Sequence, residues 1–289
     1  MIGLASSAVQ ILVPYAAYLA PEDRRGSTVG NVMSGLMAGI MLARPFASFL
    51  AEFWSWHIVF YVSSAILLFV FFILFLFLPP KIPTSKYNYL SLLLSMVKLW
   101  KQHAILRRRA TYHAFLFCAF SLFWTTAPLF LMGAPYNFSQ GEIALFAFAG
   151  AAGIFAAPIA GRLSDKGLFY QATSMAMLLV GICFFLAGLI FFTPKIGVFL
   201  LCIAAISLDF GVTTNLVIGQ KIIYSLGAEA RGRINGLYMV VFFIGGAIGS
   251  ALGGFIYSRF GWGGIVILGL IITFMVATYY YTERYAKNS

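Results

Sequence analysis

Two charged residues lie in the middle of long apolar runs of the sequence, Arg44 and Asp209. Arg44 lies about 16 residues into its run, which is roughly 24 Å along a helix, and Asp209 lies about 14 residues, roughly 21 Å, from the basic end of its own run. An ionised group at such a depth in a membrane costs several kcal/mol unless it is paired or faces water. Each residue is therefore a candidate for a functional site or for a structural ion pair.

The second feature is a polar stripe that contains Asp209. Asp209, Thr213 and Gln220 are spaced at i, i+4 and i+11 and therefore share one helix face. A polar stripe in a spanning helix usually faces a cavity, which makes Asp209 a candidate proton or substrate site; the alternative is a structural anchor. Arg44 is the candidate partner of Asp209, because a nearby cation would keep the carboxylate ionised. Trp124 is a further candidate lining residue.

The sequence shows no pattern typical of an enzyme. The three histidines have no ligand spacing with carboxylates, and the three cysteines have no pairing pattern. No phosphate-binding glycine loop is present, which disfavours transport driven by ATP. We therefore predict no catalytic residues, no metal site and no cofactor.

The composition determines where these residues must lie. Of the 289 residues, 62% are hydrophobic and only 9% are charged, whereas a soluble domain carries roughly 25% charged residues. The chain divides into apolar runs of about 20 residues, the length that spans a bilayer as a helix. We predict an all-α, polytopic integral membrane protein with about nine transmembrane helices. The runs cover residues 2–20, 28–52, 57–79, 110–133, 141–164, 170–193, 196–223, 233–257 and 262–281.

Charge in the loops predicts the orientation of these helices. Of the 19 Lys and Arg residues, only Lys195 and Arg259 fall in one set of loops, while Arg44 lies inside a run and the others flank the opposite side. Positive residues mark cytoplasmic loops, so the C-terminus is predicted to be cytoplasmic, in a plasma membrane or a bacterial inner membrane. The net charge of +11 then reflects topology and contact with anionic lipid, and no nucleic-acid partner is expected.

An internal repeat predicts the domain organisation. Shifting the chain by 206 residues places Tyr18 on Tyr224 and repeats a cytoplasmic Arg-Gly, a glycine-rich helix and a following Trp. Such a period indicates duplicated six-helix bundles. We therefore expect a bundle of three helices over 1–79, a basic cytoplasmic loop over 80–109 and a complete six-helix bundle over 110–289. On this interpretation, a parent of twelve helices has lost its first three.

Small residues and tryptophans give expectations about packing. The stripes Gly39-Ala43 and Gly245-Gly249-Gly253 repeat every four residues and should allow close helix approach between the two halves. Trp262, at a helix end, should act as an interfacial anchor. Lysine and tryptophan around residues 96–100 suit a helix lying on the membrane surface.

The segment Gly161-Arg-Leu-Ser-Asp165-Lys166-Gly167, between two predicted helices, resembles the signature loop of the major facilitator superfamily. The runs 21–26 and 229–235 also resemble the drug- and metabolite-efflux branches of that family. The resemblance implies a secondary transporter that moves an unidentified small solute by rocking of two bundles, with protons as the candidate coupling ion. It implies that Asp165 latches the two halves together. The alternative is a remnant that does not transport, or the partner of a separately encoded N-terminal part.

Overall fold

A computed structural model describes most of the chain as helices. It describes the backbone of residues 12, 15, 16, 19, 25–79, 88–191, 194–226 and 230–288, without the side chains of 25–31, 33, 34, 37, 41, 44, 89, 152, 164, 165, 191, 194, 195 and 284–288. No strand occurs among these residues, so the predicted all-α class is confirmed. The first predicted run, 2–20, lies outside the described residues apart from four isolated positions.

Nine α-helices follow one another along the described chain. They are α1 Arg25–Phe53, α2 Trp56–Phe77, α3 Tyr89–Gln102, α4 Ala104–Met132, α5 Gln140–Gly150, α6 Ala156–Asp165, α7 Phe169–Gly188, α8 Pro194–Tyr224 and α9 Arg231–Asn288. A 3₁₀ turn, Ala151–Phe155, joins α5 to α6. Gly261, at φ 60° and ψ −157°, interrupts α9, between the predicted runs 233–257 and 262–281.

Six helical stretches of the described chain are long and apolar enough to cross a membrane. They are 56–77, 104–132, 140–163, 169–188, 196–224 and 231–283. The last stretch contains the break at Gly261 and covers two predicted runs. The stretch 140–163 includes the 3₁₀ turn. The chain is therefore a multi-pass membrane protein by length and composition, while the count of nine spanning helices stays a prediction.

Helix α1 connects the first part of the chain to the second. It packs along α5 and the 3₁₀ turn, and the Glu52 carboxylate at its C-terminal end accepts a hydrogen bond from the Gly141 N–H at 3.0 Å. The start of α5 is fixed by a capping box, in which the Ser139 side chain and the Glu142 side chain each bond to the other residue's backbone N–H. A carboxylate at a helix N-terminus is favoured by the free amides there.

The glycines of α9 allow it to touch the backbone of α4. A Cβ at Gly245 would lie 2.2 Å from the Ala114 carbonyl oxygen, and a Cβ at Gly249 would lie 2.2 Å from that of Cys118. Gly253 faces Thr126 on the same helix. The expectation that this stripe lies between the two halves is therefore wrong: it packs inside the predicted C-terminal bundle, because the helix that fits against it is α4.

The other predicted small-residue stripe does not pack against the second half in the described chain. Gly39 and Ala43 are exposed and line an apolar groove with Val32, Leu36 and Val70, and a Cβ at Gly39 would meet no atom within 4 Å. The inter-half packing expected of Gly39 and Ala43 is corrected accordingly, since α1 turns a different face towards α5.

Trp262 is buried rather than interfacial. Its side chain is 4% exposed, its indole N–H donates to the Ala187 carbonyl at 2.8 Å, and its ring stacks on Phe130 with centroids 4.6 Å apart. The anchor role predicted from its position at a helix end is wrong, because the break at Gly261 places this residue within the bundle.

Replacing Gly249 with Ala tests the α4–α9 contact. The added methyl would meet the backbone of Cys118, and such overpacking typically costs about 1–3 kcal/mol. The matched control is Gly254→Ala, whose Cβ would meet no atom within 4 Å. We expect Gly249→Ala to lower the temperature at which the detergent-solubilised protein loses its monodisperse gel-filtration peak, and Gly254→Ala to leave it unchanged or raised. Equal behaviour of the two variants would contradict the contact.

Candidate functional site

The structure brings together two of the residues singled out in the sequence, Asp209 and Trp124. The Asp209 side chain, on α8, is 1% exposed, and Trp124, on α4, is 6% exposed. The Trp124 indole N–H donates a hydrogen bond to Asp209 Oδ2 at 3.0 Å. A buried polar group needs such partners. This bond therefore fixes one oxygen of the carboxylate against α4.

The backbone of two glycines also lies against the Asp209–Trp124 contact. A Cβ at Gly150 would lie 2.8 Å from Asp209 Oδ2 and 2.5 Å from the Trp124 ring, and a Cβ at Gly153 would lie 2.9 Å from Asp209 Cβ. Gly150 directly precedes the 3₁₀ turn between α5 and α6, and Gly153 lies inside that turn. Sequence reasoning missed them, although the run Ala149-Gly-Ala-Ala-Gly153 is a visible signal of close approach inside a spanning segment.

The polar stripe of α8 extends from Asp209 towards the C-terminal end of the helix. Thr213 is 4% exposed and lies one turn from Asp209, while Gln220 is partly buried near the helix end. The three residues share one face, as predicted from spacing. The cavity expected beside this face does not open at Asp209 or Thr213, because both side chains are buried. At Asp209, α4 and the 3₁₀ turn pack directly against the side chain.

Arg44 lies on α1, next to the buried Pro45. Its side chain lies outside the described residues, so its pairing with Asp209 stays a prediction. Helix α1 does pack against the 3₁₀ turn that covers Asp209, and the two predicted residues therefore belong to helices that touch the same turn.

A buried ionic cluster that sequence reasoning missed lies at the N-terminal end of α4. Arg109 and Glu283 are 2% and 6% exposed, with Nη2 and Oε1 3.8 Å apart. Arg109 donates to Thr173 Oγ1 at 2.8 Å, and the Tyr112 hydroxyl donates to Glu283 Oε2 at 2.8 Å. The cluster ties the ends of α4, α7 and α9 together. A sequence pattern could not find it, because Arg109 resembles any other loop cation.

A third buried polar contact joins α4 to α8 between these two levels. His113 Nδ1 and Asn215 Nδ2 are 3.1 Å apart, and both side chains are at most 1% exposed. The imidazole stacks on Tyr238 and Phe242, with centroids at 5.3 Å and 4.6 Å. This contact packs helices together and has no open approach.

The predicted signature loop forms a helix C-cap. Helix α6 ends at Asp165, Gly167 adopts φ 74°, and the Leu168 N–H donates to the Leu163 carbonyl at 3.0 Å. This geometry is a Schellman cap, which favours glycine at the left-handed position. Lys166 is exposed, and a Cβ at Gly161 would meet no atom within 4 Å. The Asp165 side chain lies outside the described residues, so its latch role stays a prediction.

Among the described side chains, no group of three His, Cys, Asp or Glu residues is close enough to hold a metal ion. The buried acids lie instead in separate contacts, Asp209 with Trp124 and Glu283 with Tyr112 and Arg109. These contacts orient the helices that they join.

Trp124→Phe tests the bond to Asp209. The substitution keeps an aromatic ring in place and removes the indole N–H, and loss of a buried hydrogen-bond partner costs about 1–3 kcal/mol. We expect a lower thermal stability in detergent for Trp124→Phe. Trp54→Phe is the control, because Trp54 is 64% exposed. Equal stability of both variants would show that the bond contributes nothing.

Comparison with known proteins places this architecture in a family. The family model of the Major Facilitator Superfamily matches residues 1–220 and 172–289. The chain is 37% identical over 270 residues to the putative uncharacterized transporter YgaY of Escherichia coli strain K12, a match that covers 93% of this chain and 68% of YgaY.

More distant relatives come from other bacteria. The chain is 30% identical over 262 residues to the probable transporter SCO4007 of Streptomyces coelicolor, covering 89% of this chain and 59% of that protein. It is 27% identical over 236 residues to the uncharacterized MFS-type transporter YceJ of Bacillus subtilis, covering 80% of this chain and 57% of that protein. These relatives are named as transporters, not as enzymes. The family match over the whole length, together with the helical membrane architecture, shows that this chain belongs to the major facilitator superfamily.

Proposed function

We propose that this protein is a secondary active transporter, in which a small solute crosses the membrane as two helical bundles rock about a shared interface. The membership of the family and the transporter names of its relatives support transport. The observation that carries the proposed mechanism is the buried Asp209 carboxylate, because an intramembrane acid is by default a candidate for a coupling or substrate site.

Asp209 is the proposed site where a proton or a cationic group binds. Protonation would weaken the charge-assisted bond from Trp124, since a neutral acceptor forms a weaker bond than a carboxylate. The 3₁₀ turn packs on Asp209, and 3₁₀ stretches inside helices often mark hinges. Protonation of Asp209 would therefore shift this turn before it affects other elements.

The same turn supplies the proposed path to the other half of the protein. Helix α1 packs against it and is also bonded to the start of α5 through Glu52. A shift of the turn would move the surface on which α1 rests. Coupling in this scheme thus runs from Asp209 through one short segment to α1, with Arg44 on α1 as the candidate counter-charge.

The remaining features of the proposal concern orientation and direction. Loop charge favours a cytoplasmic C-terminus, and the bacterial relatives are consistent with a plasma membrane or a bacterial inner membrane as the site. The resemblance of runs 21–26 and 229–235 to the efflux branches of the family favours export as the direction of transport.

We also propose that Asp165 latches the two halves together. A carboxylate beside the start of α1 would be stabilised by the free backbone amides of that helix.

A second candidate is a protein that does not transport by itself and works with a separately encoded part. The chain spans 68% of the length of the E. coli relative and 59% of the length of the Streptomyces relative. The two candidates differ in what the isolated chain can do in a vesicle.

Reconstituted vesicles containing the pH-sensitive dye pyranine test both candidates. Under an imposed pH gradient, solutes of several classes are added in turn: cationic dyes such as ethidium, sugars and amino acids. We expect one class to drive proton movement in wild-type vesicles, and Asp209→Asn to reduce that movement about tenfold or more, since the amide cannot take up the proton. That loss corresponds to roughly 1.4 kcal/mol or more.

Glu142→Gln is the matched control, because it makes the same carboxylate-to-amide change at an exposed position and keeps the capping box, in which Gln also serves. It should behave as wild type. Unchanged coupling in Asp209→Asn would reduce Asp209 to a structural residue. Absence of movement with every solute class would favour the second candidate.

A further inference from the structure

Helix α3 packs on the bundle through one face only. Ser95 Oγ accepts a hydrogen bond from Arg233 at 2.8 Å, and the Met96 methyl lies 3.6 Å from the Cβ position of Gly236. Leu99 and Trp100 pack against a buried cluster that includes Leu106, Ile234 and Tyr238. Trp100 therefore faces the protein, although its residue type alone suggested a membrane contact.

These contacts place α3 at the level of the helix ends. Its partners on α4 and α9 lie within the first two turns of those spanning helices, and two turns rise roughly 11 Å. The backbone of α3 is also fixed there, because the Arg107 side chain donates to the Trp100 and Lys101 carbonyls at 2.7 Å. Because the ends of spanning helices lie near the boundary between headgroups and acyl chains, we infer that α3 lies at that boundary.

The opposite face of α3 carries an apolar stripe that none of the described residues covers. Leu90, Leu93, Leu94 and Val97 are 63%, 40%, 62% and 52% exposed, and their spacing at i, i+3, i+4 and i+7 places them on one side of the helix. On a single surface helix, such a stripe needs an apolar neighbour.

Charge indicates what that neighbour is. Lys98 and Lys101 are exposed, and each lies four residues after a member of the stripe, Leu94 and Val97. The sequence from Pro80 to Arg109 contains Lys and Arg but no Asp or Glu. A leucine stripe bordered by lysines, in a segment whose sequence contains no acid, suits an anionic bilayer surface better than a protein surface.

We propose that the outward face of α3 is a binding surface for anionic phospholipid, in the leaflet that loop charge assigns to the cytoplasm. The stripe formed by Leu90, Leu93, Leu94 and Val97 enters the acyl boundary, and Lys98 and Lys101 contact the phosphate groups. This surface is separate from Asp209, and the inference holds whether or not the chain transports a solute.

Spin labels on the full chain in liposomes test this surface. The parent variant is Cys202→Ala, because Cys118 and Cys183 are buried and should not react. A nitroxide is placed at Leu94→Cys, and the control is Gln102→Cys, an exposed position on the polar side of α3. Collisions with oxygen, which is enriched in the bilayer, are compared with collisions with a water-soluble nickel chelate. Vesicles are made of phosphatidylcholine with or without phosphatidylglycerol.

We expect the label at Leu94→Cys to favour oxygen and the label at Gln102→Cys to favour nickel. Phosphatidylglycerol should increase the preference at Leu94→Cys, and Lys98→Gln with Lys101→Gln should abolish that increase while the gel-filtration profile stays unchanged. Nickel access at Leu94→Cys equal to that at Gln102→Cys would overturn the membrane contact. Protection from both reagents would identify a protein neighbour instead. An identical preference in the two vesicle types would overturn the anionic specificity.

Discussion

Helix α4 supplies one partner to each of the three buried polar contacts of the candidate site, and the glycine stripe of α9 packs on its backbone. Lipid tails are as apolar as leucine, so helices in a membrane gain little from hydrophobic association and depend on close packing and buried hydrogen bonds. Arg109 donates a hydrogen bond to Thr173 on α7 and forms an ion pair with Glu283 on α9. His113 and Trp124 each form a hydrogen bond with α8. The arrangement of the C-terminal helices therefore depends on α4.

The three contacts occupy successive levels of α4 and differ in what they touch. Arg109 closes the end of the bundle, His113 lies one turn further in, and Trp124 lies roughly 16 Å beyond His113 along the helix. Trp124 and Asp209 contact the 3₁₀ turn between α5 and α6, and α1 packs on the same turn. The outer two levels hold the bundle together, while the inner level connects it to the first part of the chain.

The sequence predicted the helical class and the positions of the described spanning segments, because hydropathy is a local signal. It singled out Asp209 and Trp124 as separate candidates, with Arg44 rather than Trp124 as the expected partner of Asp209. It did not predict which helices meet. The stripe Gly245-Gly249-Gly253 signals close approach, yet nothing in the stripe identifies α4 as its partner. Arg109 and Glu283 are 174 positions apart, so their contact follows from the fold rather than from spacing. Trp262 was predicted to be interfacial from its position at a helix end. Its burial depends on the backbone break at Gly261, which hydropathy does not reveal.

The hydrogen-bond partner of Asp209, Trp124, is uncharged, and this affects how the buried carboxyl group could gain or lose a proton. An indole N–H is a neutral donor, so it can bond to an oxygen of the carboxylate and also to the carbonyl oxygen of the protonated acid. An arginine in that place would favour the ionised form by its charge. Trp124 can thus hold the side chain in one orientation through a change of charge, although its bond to the neutral acid would be weaker than its bond to the carboxylate. The 3₁₀ turn between α5 and α6 also lies against Asp209, and α1 packs on that turn.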